Sequence, residues 1–153
     1  MAKESQRILL VEDDNAKEAQ IASVIRGELP HFRLDIARSV VEAVSSLKTG
    51  IYDLIVLDIA LPSHARSRGA APSQMPSGGL EVIYELSAEA RLDPVIVLTQ
   101  YPAIEYNGCS FKLSAAATVL RTEAQVNILS VNYFDRSENR WKNYLQEALK
   151  RIA

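Results

Sequence analysis

Three short aliphatic stretches each run directly into residues able to carry charge or donate a hydrogen bond. Ile8 to Val11 leads into Glu12-Asp13-Asp14, Leu54 to Leu57 into Asp58, and Val95 to Leu98 into Thr99. A further extended candidate, Val131 to Phe134, contains Tyr133 and leads to Arg136. Carboxylates gathered at one edge repel each other and raise one another's pKa unless a cation neutralises them. Magnesium suits such a set, because it is a hard ion that takes oxygen ligands, keeps several waters and commonly binds through one or two carboxylates beside a phosphate. Acidic residues after a strand also serve as plain turn or helix-capping residues, and Asp14 is read that way. Asp58 fits a solvated loop less well, since four aliphatic residues precede it and Ile-Ala-Leu-Pro follows.

Those residues converge only if the aliphatic stretches are neighbouring strands. Short, continuous and bounded by polar residues, they predict strands buried on both faces over Arg7 to Glu12, Leu54 to Asp58 and Val95 to Thr99, with Phe32 to Ala37 and Val131 to Phe134 as weaker candidates. Helical patterns lie between. Ala16 to Leu29 aligns Ile21, Val24 and Ile25 behind an Asp14 or Asn15 cap, and Pro30 closes it. Ser39-Val-Val-Glu42 is a capping-box pattern followed by Val40, Val44 and Leu47 at helical spacing, with Gly50 ending the helix. Leu80 to Ala90 carries Val82, Ile83 and Leu86, and a last helix from near Glu138 aligns Trp141, Leu145, Ala148, Leu149 and Ile152. Strands alternating with helices imply right-handed crossovers, hence an α/β fold: a doubly wound, five-stranded parallel sheet in a flavodoxin-like three-layer sandwich. Ligands in such folds collect at the carboxyl ends of the strands, where Glu12, Asp58 and Thr99 stand.

With those residues in that order, the sequence resembles the receiver domain of two-component response regulators over essentially its whole length. The carrying segments are Ile8-Leu-Leu-Val-Glu-Asp-Asp14, Tyr52-Asp-Leu-Ile-Val-Leu-Asp-Ile-Ala-Leu-Pro62, Gly79-Leu-Glu-Val-Ile83, Pro94-Val-Ile-Val-Leu-Thr99 and Tyr133-Phe-Asp-Arg136. The resemblance implies that Asp58 is the phosphoacceptor, forming an aspartyl phosphate from a phosphohistidine. It implies Asp13 and Asp58 as direct Mg2+ ligands, the backbone carbonyl of Ala60 as a third, and Glu12 acting through a metal-bound water. Thr99 then corresponds to the switch hydroxyl and Tyr133 to the switch aromatic, although Tyr133 equally suits an edge aromatic packed on the sheet. The implied partners are a sensor histidine kinase or phosphotransfer protein and a downstream protein target, in the cytoplasm, with a homodimer left open and no nucleic acid or membrane contact.

Three departures from the family pattern mark this chain. Receivers carry a lysine three residues beyond the switch aromatic, where it pairs with the phosphoryl group; here that position is Arg136, and Ser137 replaces the usual proline. Arginine keeps the charge on a larger, planar head, so either the site works with altered phosphorylation kinetics or the register shifts and no residue does the lysine's work. The segment 63–78, SHARSRGAAPSQMPSG, is long, cationic and free of acids; it is expected to be a flexible inserted loop, either a plain excursion or one that touches the docking partner or partly shields the acyl phosphate. Finally, the segment 100–130 opens with breakers, Gln100-Tyr-Pro-Ala-Ile-Glu-Tyr-Asn-Gly108, so the fourth helix is expected to be delayed, lengthened or displaced, with the better helical pattern over Leu113 to Gln125. Tyr101 is bulky enough to screen the site and Ala60 lacks a side chain to activate water, which together imply a phosphate that is not rapidly lost.

The whole-chain properties agree with one receiver domain over 1–153. Seventeen Lys plus Arg against nineteen Asp plus Glu leave a charge of −2, which offers no basic footprint for nucleic acid. No aliphatic run approaches the ~20 residues that span a bilayer, the N-terminus lacks signal-peptide character, and the single Cys109 is expected to be a reduced thiol. A dehalogenase-type phosphatase would need an acid where Ala60 stands, and no phosphate-loop or dinucleotide glycine pattern occurs. The remaining alternative is a phosphorylation-independent pseudo-receiver that keeps the fold as an interaction module.

Overall fold

The structure, a computed structural model, describes residues 5–63 and 77–153. Along the chain the elements are β1 (Gln6–Val11), α1 (Asn15–Glu28), β2 (Phe32–Ala37), α2 (Val40–Thr49), β3 (Leu54–Leu57), α3 (Gly78–Ala88), β4 (Val95–Thr99), β5 (Ala103–Tyr106), β6 (Cys109–Lys112), α4 (Leu113–Glu123), β7 (Ile128–Tyr133) and α5 (Arg140–Ile152). Five strands form one parallel sheet in the order β2-β1-β3-β4-β7. All five expected strands are present, and the expected doubly wound α/β architecture is the one observed. Most of the segment 63–78, expected to be an inserted loop, lies outside the described residues.

Strand alternation divides the core into two layers. Leu9, Val11, Ile55, Leu57, Val95 and Val97 face α2, α3 and α4, while Ile8, Leu10, Leu54, Val56, Ile96 and Leu98 face α1 and α5. The α1 stripe contributes Ile21 and Ile25, and α5 contributes Trp141, Leu145 and Leu149, all buried. Burial on both sides explains why the central strands are aliphatic without interruption rather than alternating with polar residues.

Helix starts follow their capping residues. Asp14 caps α1, its Oδ1 accepting the Lys17 N–H at 3.0 Å. At α2, Ser39 Oγ accepts the Glu42 N–H, but Glu42 receives the Ser39 hydroxyl at 3.2 Å instead of closing a box on the backbone. Helix α3 begins two residues earlier than expected, on a glycine pair that lets it approach the loop after β3. A Cβ on Gly79 would meet the Asp58 carbonyl oxygen at 2.3 Å, and one on Gly78 would meet that of Leu61 at 2.2 Å. Both N–H groups donate into this loop, Gly78 to Leu61 O and Gly79 to Ile59 O.

The expectation of a delayed, lengthened or displaced fourth helix is only half of what occurs. Helix α4 does start at Leu113, but the breakers before it build an antiparallel hairpin of β5 and β6, paired from Ala103↔Lys112 to Tyr106↔Cys109. Its two-residue turn is Asn107-Gly108, both at positive φ (51° and 77°), the combination that matches strand twist. Ile104 and Tyr106 point into the layer holding Ala116 and Leu120, and the Tyr106 ring lies 5.9 Å from that of Tyr84 on α3. Cys109 is exposed and unbridged.

Candidate functional site

The chain reverses its direction of travel across the sheet at β1, which lies between β2 and β3, so a crevice opens outside the carboxyl ends of β1 and β3. Glu12 and Asp58 are the first residues past those ends. Their backbones continue the strand ladder, Glu12 N–H to Ala37 O at 2.9 Å and Asp58 N–H to Val11 O at 3.1 Å, which fixes both carboxylates side by side. Glu12 is 1% and Asp58 6% exposed. One oxygen from each of Glu12, Asp13 and Asp58 lies within 4.8 Å of the others. Asp58 Oδ1 accepts the Ala60 N–H at 3.1 Å, and Glu12 Oε1 accepts the Asp14 N–H at 3.1 Å.

Burial pushes the Glu12 carboxyl up to about 7, and the neighbouring Asp58 charge pushes in the same direction against the opposing pull of Lys17. Two buried carboxylates and a partly buried third, all oxygen donors, suit a hard divalent cation better than a soft one.

Thr99, fully buried at the end of β4, accepts the Tyr101 N–H on Oγ1 at 3.1 Å. Tyr133 ends β7 with half its surface exposed, and it pairs in register with Thr99. These two therefore stand on adjacent strands at the same edge as Asp58.

Arg136 lies elsewhere than the family pattern suggests. Its guanidinium is more than half exposed and donates to Asp14 Oδ2 at 3.1 Å, on the rim of the crevice. Among the described residues, the cation paired with Asp58 is instead Lys17, from the first turn of α1. Its Nζ lies 2.8 Å from Glu12 Oε2 and 3.2 Å from Asp58 Oδ2, and donates to the Leu98 carbonyl at 2.7 Å. The side chain is 1% exposed, and the ammonium sits 5.1 Å from the centre of the Phe134 ring. A buried ammonium survives only when it is paired and its donors are satisfied, and Lys17 has one oxygen for each of its three N–H bonds.

Sequence reading passed over Lys17. A usable signal was present: Lys17, Ile21 and Ile25 fall at i, i+4 and i+8, so the lysine heads the apolar stripe of its own helix. A charge on that stripe, one turn after an acidic strand end, has no solvent to face.

No protein-family model matches the chain. It is 31% identical over 147 residues to the Detocs response regulatory protein DtcB of Vibrio alginolyticus, covering 94% of this chain and 99% of that one. Among solved structures it is similar to the phosphorylated cyanobacterial phytochrome response regulator RcpA, at 22% identity and a TM-score of 0.60, covering 97% of this chain and 91% of that one. It is also similar to the receiver domain of the sensor histidine kinase PA1611 from Pseudomonas aeruginosa PAO1, solved with magnesium in its active-site cleft. There the identity is 22% and the TM-score 0.57, covering 97% of this chain and 98% of that one. At such identities the structural likeness speaks for the fold, and the sequence relative carries the family.

Proposed function

The chain belongs to the response regulator receiver family, and on that premise we propose that Asp58 accepts a phosphoryl group from a phosphohistidine, with Mg2+ held by Glu12, Asp13 and Asp58. The observation that carries this reading is the convergence of those three carboxylates in one crevice, with Thr99 at the same edge. A carboxylate oxygen of Asp58 forms the new bond to phosphorus while the phosphorus–nitrogen bond of the donor breaks. The electron pair remains on the imidazole nitrogen, which takes up a proton. Such transfer is mostly positioning and charge neutralisation, and a bound Mg2+ would supply part of the positive charge. What this chain's own residues do is hold Asp58 in place: the Ala60 N–H fixes Oδ1, and Lys17 fixes Oδ2.

Receivers are signalling domains rather than enzymes acting on external substrates. For this chain the reading includes assistance to its own phosphorylation and dephosphorylation and cytoplasmic operation. Its donor would be a sensor histidine kinase or phosphotransfer protein, and its output contact with a downstream protein, all within one receiver domain spanning 1–153. Among the described residues no helix is long and apolar enough to cross a membrane. In this reading Thr99, buried at the end of β4, supplies the hydroxyl that meets an arriving phosphoryl oxygen, and Tyr133, exposed on the neighbouring strand, is the ring whose rotamer would report it.

The second reading, a phosphorylation-independent module, is favoured by one observation: Lys17 already gives the acidic cluster an internal counter-charge. Intact-mass measurement after incubation with acetyl phosphate and Mg2+ separates the two. The wild type is expected to gain one phosphoryl group and Asp58→Ala none; no gain in the wild type with any phosphodonor would favour the module.

A further inference from the structure

We propose that Lys17, on the first turn of α1, is the cation that neutralises the phosphoryl group on Asp58, and that Arg136 has no part in that work. This rests on the phosphoacceptor reading of Asp58 and specifies how its charge is met.

Lys17 is the side chain that joins the carboxyl ends of the central strands. Its ammonium touches Glu12 after β1, Asp58 after β3 and the Leu98 carbonyl within β4, and it lies against the Phe134 ring after β7. Transfer replaces the single negative charge of the Asp58 carboxylate with the two of an acyl phosphate, beside an ammonium already within 3.2 Å of that carboxylate. In a site this shielded from water, a fixed positive charge is worth far more than at the surface. At Lys17 only the partner of one N–H changes, from a carboxylate oxygen to a phosphoryl oxygen.

Arg136 is poorly placed for the same task. It is more than half exposed and already paired with Asp14, whose other oxygen caps α1. That arrangement ties the loop after β7 to the start of the helix carrying Lys17. Two of the Lys17 contacts also adjoin the proposed switch residues: Leu98 precedes Thr99, and Phe134 follows Tyr133. A shift of the ammonium toward the phosphoryl group would therefore loosen its hold on both neighbours at once.

The full chain is tested with acetyl phosphate and Mg2+, reading the phosphorylation rate by intact mass and Mg2+ affinity by calorimetry. Lys17→Met is expected to slow phosphorylation about tenfold or more, as loss of a preorganised charge-stabilising donor does. Its Mg2+ affinity should be equal or tighter, because a competing cation has gone. Arg136→Ala should stay within about threefold of wild type on both, as expected for an exposed ion pair. Parallel loss of Mg2+ binding and phosphorylation in Lys17→Met would mark a structural lysine and overturn the proposal; so would a slow Arg136→Ala beside a normal Lys17→Met. If Lys17→Met does not fold, 15N NMR of the wild-type Lys17 ammonium decides. Its resonance should shift when fluoroberyllate and Mg2+ occupy Asp58, and an unmoved resonance would overturn the proposal. A wild type that takes up no phosphoryl group at all removes the phosphoacceptor reading and this inference together, a result distinct from either variant outcome.

Discussion

Glu12 shows how one buried carboxyl couples metal, proton and fold. Its pKa stands at about 7, above the ordinary 4.5, chiefly because burial disfavours the charge. The folded chain thus holds this proton more tightly than the unfolded chain. Stability from this group is fully present below 4.5 and is lost as pH rises through about 7 in the metal-free protein. Metal works in the opposite sense, since a cation binds the carboxylate and must displace the proton. Mg2+ affinity is therefore expected to weaken steadily as pH is lowered through the value of about 7, and Glu12→Gln to flatten that dependence. Calorimetric titrations across that range test it, and a wild-type affinity independent of pH would refute the coupling.

At the scale of elements, the loop after β3 that begins with Asp58 is held by how closely α3 approaches it. The N-terminus of α3 stacks on the Asp58–Leu61 backbone with no room for a side chain, so the glycine pair is a packing requirement rather than a phosphate-binding device. Gly79→Ala forces backbone against backbone, since a Cβ would meet Asp58 O and Ile59 Cα at 2.3 and 2.5 Å. Overpacking of this kind costs about 1–3 kcal/mol, and here the displaced atoms belong to Asp58, the proposed phosphoacceptor, and to Ile59 beside it. The variant should melt lower and bind Mg2+ more weakly; retention of both properties would show that the loop yields without consequence. The β5–β6 hairpin occupies the stretch between β4 and α4. It buries Ile104 and Tyr106 beside α4, so the extra residues before that helix extend its core layer.

Across the whole molecule, chemistry and cohesion are placed at opposite ends of the sheet. At the amino ends of β3 and β4, Asp93 is 4% exposed and receives two hydrogen bonds from Arg91 and one from the Tyr52 N–H. The same guanidinium donates to the carbonyls of Leu47 and Gly50, closing the end of α2 against the sheet. Burial would raise the Asp93 carboxyl, but these hydrogen bonds and the Arg91 charge outweigh it and hold it below 3.8. Its contribution to stability is present above that value and is lost as pH falls through the lowered one. Arg91→Met leaves the carboxylate buried without its partner, which costs about 3 kcal/mol. Thermal or denaturant unfolding should register that loss while Mg2+ affinity stays unchanged, and a coupled loss of metal binding would contradict the separation of the two ends.

Much of this was legible in the linear order of residues. Uninterrupted aliphatic strands, helical stripes and capping residues specify a doubly wound sheet because each is a local consequence of backbone period and burial. The acidic pair, Asp58 and Thr99 were legible because strand ends inherit their positions from the strands. The hairpin was written in Asn107-Gly108 but was masked by reading those residues as breakers. Lys17 and Arg136 are different in kind. The register of the last strand put a cation near the expected place, and the tertiary structure turned that cation to the rim and brought another from α1 beneath Asp58. Sequence placed Lys17 on an apolar stripe and Arg136 near the family's lysine position; only packing decided that Lys17 is the one set against the carboxylates. That choice depends on distances between four strands and one helix, which no local pattern contains.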